Sequence, residues 1–207
     1  MKLQISFDTT DLTQAITLAS QTAEYADILE IGTLLIYNYG HNAIVQFKEK
    51  FPHKIIMADS KIIDRGKDAV NLFSQAGADW ITVMAGTSRH VIHAACTAAS
   101  QANKKIMLDL IDASSPAQSA LDAKNLGVDA ILLHETADEH DTLGFLDKWE
   151  LVKGNASVPI FISAKIKRDI IHQILPLNPD GIVIGRGITA SNNPAEEAKY
   201  YHDLCNK

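Results

Sequence analysis

The chain has 207 residues, of which 46% are hydrophobic and 21% charged, and its 25 acidic and 19 basic side chains leave a formal charge of −6. That composition is globular rather than disordered, and the acidic balance argues against nucleic-acid coating, which needs a basic face. No run approaches the roughly 20 apolar residues that cross a bilayer. A chain this long buries about 70% of its unfolded surface and needs no disulfide or structural metal. Cys96 and Cys205 form no CxxC pair, as suits a reducing compartment.

Met1 to Asp8 reads as a strand that begins almost at the first residue, with no apolar core of a signal peptide, so a cytoplasmic location is expected. Short apolar runs follow at 3–7, 27–31, 54–58, 80–84, 105–108, 130–133, 158–162 and 181–184. Runs of this length suit strands buried on both faces. Between them lie helical patterns such as Leu12, Ala15, Ile16 and Ala19, or Ala43, Ile44 and Phe47. Gly77, Gly127 and Asp180-Gly181 stand where helices should end, and Asn193-Pro194-Ala195-Glu196 where the last should begin. Eight strands alternating with eight helices describe a single-domain (β/α)8 barrel over 1–207. The competing doubly wound sheet would want Gly-x-Gly-x-x-Gly after the first strand, and none is there.

Such a barrel keeps its active site at the C-terminal ends of its strands. The residues found there are Asp8, Glu30, Asp59 with Lys61, Asp109, His134, Lys165 and Gly185-Arg186. So many ionisable groups against buried strands exceed what rim ion pairs explain. In Ala58-Asp59-Ser60-Lys61-Ile62-Ile63-Asp64, an extended strand would point Asp59 and Lys61 the same way. Carboxylates keep such a lysine protonated, a fixed cation suited to an oxyanion that develops during reaction. Glu30 and Asp59 close neighbouring strands, and two hard oxygen donors with water positions left open describe a Mg²⁺ site. His134 is the natural proton donor or acceptor; His41, His53, His90, His172 and His202 fall in helices or loops and receive no role. Gly185-Arg186-Gly187 offers backbone donors and a guanidinium where these barrels grip phosphate. A Schiff-base lysine at 61 or 165 would need a lowered pKa, and the carboxylates beside Lys61 act the other way.

Asp59-Ser60-Lys61-Ile62-Ile63-Asp64 resembles the Asp-x-Lys-x-x-Asp mark of the orotidine monophosphate decarboxylase suprafamily. Glu30-Ile31-Gly32-Thr33, the segment Ala76 to Val83, and Gly185 to Thr189 with Pro194-Ala195 are more specifically similar to the 3-hexulose-6-phosphate synthase and 3-keto-L-gulonate-6-phosphate decarboxylase families. The resemblance implies Asp8 as a substrate hydroxyl contact, Glu30 and Asp59 as magnesium ligands, Lys61 as the enediolate-stabilising cation and His134 as acid/base. It implies a homodimer in which Asp64 reaches the partner's site. Asp109 and Ala137 resemble the synthases, Arg186 the decarboxylases. Ser163-Ala164-Lys165-Ile166 replaces the usual Gly-Gly phosphate turn, with Lys165 supplying a charge, and His134 to Asp138 lacks the usual Thr-Gly. The resemblance thus implies a Mg²⁺-dependent aldolase-type lyase condensing formaldehyde with D-ribulose 5-phosphate, a ketose phosphate. Decarboxylation through the same enediolate and a non-catalytic sugar-phosphate binder are the alternatives.

Overall fold

The computed structural model describes residues 1–135 and 142–206, with the side chains of 142–144 left aside. Its eight strands are β1 (Lys2–Phe7), β2 (Ile28–Ile31), β3 (Ile55–Ile62), β4 (Trp80–Met84), β5 (Lys105–Asp109), β6 (Ala130–His134), β7 (Ile160–Ser163) and β8 (Gly181–Ile184). All pair in parallel and in chain order, and β8 closes on β1 with Gln4 opposite Val183. The expected (β/α)8 barrel is the observed fold.

Strand parity explains why each apolar run is nearly continuous. Successive side chains point to opposite faces, and here both faces are covered. Leu3, Ile5, Phe7, Leu29, Ile31, Ile81 and Val83 belong to one cluster between the sheet and the helices. Ile28, Met57, Met107, Ala130, Leu132, Phe161 and Val183 form a second cluster that fills the lumen. The same inward parity, carried toward the C-terminal ends, reaches Ser6, Glu30, Asp59, Thr82, Asp109 and His134. The lumen thus changes from apolar below to polar at the mouth.

A recurring aspartate ties the opposite end together. The carboxylates of Asp27, Asp79, Asp129 and Asp180 accept the N–H of Leu3, Ile56, Ile106 and Ile160 at 2.9, 3.0, 2.9 and 2.8 Å. Each stands just before an even-numbered strand and satisfies a backbone donor of the preceding one. The barrel is thereby a fourfold repeat of strand pairs, and its ladders are anchored away from the mouth.

The expectation of eight helices is too few. The β2–β3 connection holds two, Thr33–Tyr39 and Asn42–Lys50, separated at Gly40, and β8 is followed by Arg186–Thr189 and Pro194–Cys205. Asn193 caps the last helix as expected, its side chain accepting the Glu196 N–H at 3.3 Å. Among the described residues no helix is long and apolar enough to cross a membrane.

Candidate active site

β3 is longer than its apolar run, so Asp59 and Lys61 lie within it rather than beyond it. The plain extended geometry expected for Asp59-Ser60-Lys61 is not what forms. Register with β4 shifts between Ala58 and Ile62, and Lys61 takes φ +46°. This bulge re-aims the lysine. Its Nζ donates to Asp59 Oδ1 at 3.1 Å and to Asp109 Oδ2, across on β5, at 3.0 Å. Asp109 is completely buried, and its carboxylate also meets His134 Nδ1 at 2.9 Å and the Ile111 N–H at 3.0 Å. Lys61, Asp109 and His134 therefore form one hydrogen-bonded line.

The electrostatics follow from that line. Burial would depress Lys61, but the charges of Asp59 and Asp109 and the bonds to them hold it above the ordinary lysine range. Burial would raise Asp109; the bond and charge of His134, then Lys61, hold it below the carboxylate range instead. His134 is itself raised, because the bond to Asp109 and its charge outweigh burial and the repulsion of Lys61. The two carboxylates thus favour the charged form of Lys61, the opposite of what a Schiff-base nucleophile needs.

Glu30 is different. Burial, then the neighbouring charge of Asp59, pushes its carboxyl up to about 7, against the lowering effects of Ser6, Gln4 and Lys61. Ser6 donates to Oε1 at 2.7 Å, and Gln4 Nε2 donates to Oε2 in a short contact. Asp59 accepts from the hydroxyls of Thr33 at 2.7 Å and Thr82 at 3.0 Å. Glu30 and Asp59 are thus two crowded carboxylates with one lysine between them and Asp109. Among the described residues no three His, Cys, Asp or Glu side chains converge as a metal cage. Two hard carboxylate donors suit Mg²⁺, which keeps most of its waters; Glu30 Oε1 and Oε2 and Asp59 Oδ2 each accept one of the bonds described and keep a second lone pair, whereas Asp59 Oδ1 already accepts from both Lys61 and Thr82.

Asp8 is exposed, and its Oδ1 accepts the Leu34 N–H at 2.9 Å, tying β1 to the helix that starts at Thr33. The intervening Gly32 allows it, since a Cβ there would sit 2.5 Å from Asp8. Asp64 is exposed and accepts the Arg65 N–H at 2.7 Å; it takes no part in the Lys61–Asp109–His134 line. With Ile63 and Leu72 it lines an open hollow of about 460 Å³ beside β3.

A larger cavity, about 860 Å³, runs from His134 past Ser163 and Lys165 to Gly185 and Arg186. Lys165 takes φ +46°, a conformation glycine enters freely, so the β7 turn keeps a glycine-like backbone while carrying an ammonium. Gly187 lets the β8 turn close on it, for a Cβ there would lie 2.5 Å from the Ile166 carbonyl oxygen. Thr136, Ala137 and Asp138 lie outside the described residues. Gln4, Ser6 and Thr82 were not anticipated from sequence. The signal available was that each is a polar residue in an apolar strand, while the face it takes needed the register between strands.

The sequence model of the orotidine 5'-phosphate decarboxylase / HUMPS family matches residues 1–201. A 3-hexulose-6-phosphate synthase of Bacillus subtilis is 32% identical over 206 residues, covering 99% of this chain and 98% of that one. A crystal structure of a 3-hexulose-6-phosphate synthase superposes with a TM-score of 0.91 at 32% identity, covering 99% of both chains. The 3-keto-L-gulonate-6-phosphate decarboxylase of Vibrio cholerae superposes at 0.85 with 26% identity, over 99% of this chain and 97% of that one. The synthase names agree with the expected class, a carbon–carbon lyase. A barrel of matching length, a matched family model and relatives above 30% identity together place this chain in the orotidine 5'-phosphate decarboxylase / HUMPS family.

Proposed function

We propose that this chain is a 3-hexulose-6-phosphate synthase, joining formaldehyde to D-ribulose 5-phosphate through an enediolate. The observation that carries the reading is the Lys61–Asp109–His134 line, whose His134 borders a cavity that Lys165, Gly185 and Arg186 also line. The guanidinium and ammonium would take the phosphate, which lays the sugar's ketone toward Lys61. With Nδ1 bound to Asp109, His134 presents Nε2 to remove the proton from the carbon beside the ketone. Lys61 stabilises the oxygen on which negative charge then builds. The carbanionic carbon attacks formaldehyde, and the new alkoxide takes the proton back from Nε2. Asp8, at the rim, would contact a sugar hydroxyl.

Glu30 and Asp59 would hold Mg²⁺, which when bound supplies Lewis-acid polarisation of the ketone. Because both carboxylates would then be neutralised, added Mg²⁺ is expected to raise the melting temperature of the native protein but not of Glu30→Gln. A scan of melting temperature against Mg²⁺ at pH 8 checks this, and an equal rise in the variant would remove Glu30 from the ion.

A homodimer with Asp64 completing the partner's site is also proposed, supported by the exposed Ile63 and Leu72, which line one hollow together with Asp64. Mixing Lys61→Ala with Asp64→Ala subunits should then restore part of the activity that each lacks alone. No recovery after subunit exchange would confine Asp64 to its own subunit.

The reaction is tested by formaldehyde consumption with ribulose 5-phosphate and Mg²⁺, where turnover is expected. Decarboxylation of 3-keto-L-gulonate 6-phosphate in its place would favour the decarboxylase reading. Binding of either sugar phosphate without turnover would leave a binder.

A further inference from the structure

We infer that Thr82 is a positioning residue: its hydroxyl holds β3 in the bulge that aims Lys61 at Asp59 and Asp109. The kinetic arm of this inference rests on the synthase reading; its geometric arm does not. Between the pairs Ala58↔Ile81 and Ile62↔Val83, β3 advances 62 − 58 = 4 residues while β4 advances 83 − 81 = 2. The extra residues of β3 cannot continue the ladder, and their polar groups need other partners. Thr82 provides them. Its Oγ1 accepts the Lys61 N–H at 2.9 Å, and its carbonyl accepts the Ser60 hydroxyl at 3.2 Å.

A hydroxyl has one proton to donate, and that of Thr82 goes to Asp59 Oδ1 at 3.0 Å. The same Asp59 oxygen accepts from Lys61 Nζ at 3.1 Å. One side chain therefore grips Lys61 at its backbone and, through Asp59, at its ammonium. That grip compensates the left-handed φ of +46°, which a lysine avoids unless its surroundings impose it. Thr82 is 1% exposed in a strand otherwise composed of Trp80, Ile81, Val83 and Met84. Valine would fill the same space with equal strand propensity, so packing alone does not call for the hydroxyl.

The test compares Thr82→Val with Thr82→Ser by hydrogen exchange of the Lys61 amide and by steady-state kinetics. Thr82→Val should speed Lys61 amide exchange at least tenfold while leaving β5 and β6 amides at native rates. It should lower kcat by about 100-fold, the cost of misplacing a catalytic group by an ångström, with KM changed far less. Thr82→Ser, which keeps the hydroxyl, should recover most of both properties. If Thr82→Val does not fold, Thr82→Ala removes the hydroxyl without setting a methyl against Asp59. Native Lys61 exchange in a folded hydroxyl-free variant overturns the inference, whatever its activity, and so does a serine variant as impaired as the valine one. A native protein without turnover would count against the synthase reading alone, because the exchange arm would still decide the role of Thr82.

Discussion

Lys61→Ala is expected to lower kcat by about 1,000-fold in the formaldehyde condensation, the upper range for removing one preorganised donor to a developing oxyanion. KM should change much less, because Lys165 and Arg186, proposed to take the phosphate, are untouched. The same substitution strips two carboxylates, one completely buried, of their shared cation. Breaking a buried pair by removing one partner is strongly destabilising, and with Lys61 about one-fifth exposed the expected cost at pH 8 is about 2 kcal/mol. That cost should shrink on acidification. Without Lys61, His134 remains the partner of the buried Asp109 carboxylate, and its protonation as pH falls, no longer opposed by the lysine, supplies the missing positive charge and relieves the variant. Denaturant titrations at pH 5.5 and 8 check this: a stability gap that is constant or narrows toward pH 8 contradicts the account. Activity within tenfold of native would remove Lys61 from the chemistry.

Asp109→Asn is the second large effect, because one carboxylate orients both Lys61 and His134. The amide keeps an oxygen for the Ile111 N–H but loses the charge. In the native protein His134 titrates above its ordinary 6.5. Its contribution to stability is therefore fully present below about pH 6.5 and is lost as pH rises through the folded value. In the variant burial and Lys61, both lowering, remain against only the weaker raising charge of Asp59, so the sign reverses and a charged His134 becomes a cost at low pH. The native protein should exceed the variant in stability most near pH 5.5, where Asp109 is still ionised, and less at pH 8. If His134 is the base, as proposed, the alkaline rise of kcat should move to lower pH as kcat falls by about 100-fold. Proton NMR titration of His134 beside the pH–rate curve measures both. An unmoved histidine titration would show that Asp109 does not set its protonation.

Much of this arrangement was legible before any coordinates. The apolar runs at 3–7, 80–84 and 181–184 match β1, β4 and β8 to within a residue, because strands buried on both faces must be apolar at both parities. Gly127 and Asn193 bound helices where capping chemistry requires. Asp59, Lys61, Asp109 and His134 were legible because ionisable groups closing apolar strands have only the barrel mouth to occupy.

The rest needed the closed barrel. Gln4, Ser6 and Thr82 sit inside strands, and whether such a residue faces lumen or helices depends on a phase that only the register between strands sets. The left-handed backbone of Lys61 is likewise a tertiary outcome, since a lysine alone would prefer another conformation and this one is held by Thr82 on the neighbouring strand. Asp109 had a place at a strand end from sequence. Its bonds to a lysine on β3 and a histidine on β6 exist because closure brings residues 48 and 25 positions apart within 3.0 and 2.9 Å. Local propensity and hydrophobic periodicity act over a few neighbouring residues and determined the strands, the helices and their polar ends. Which of those ends touch depended on strand order, shear and one bulge, which become defined only when the whole sheet closes.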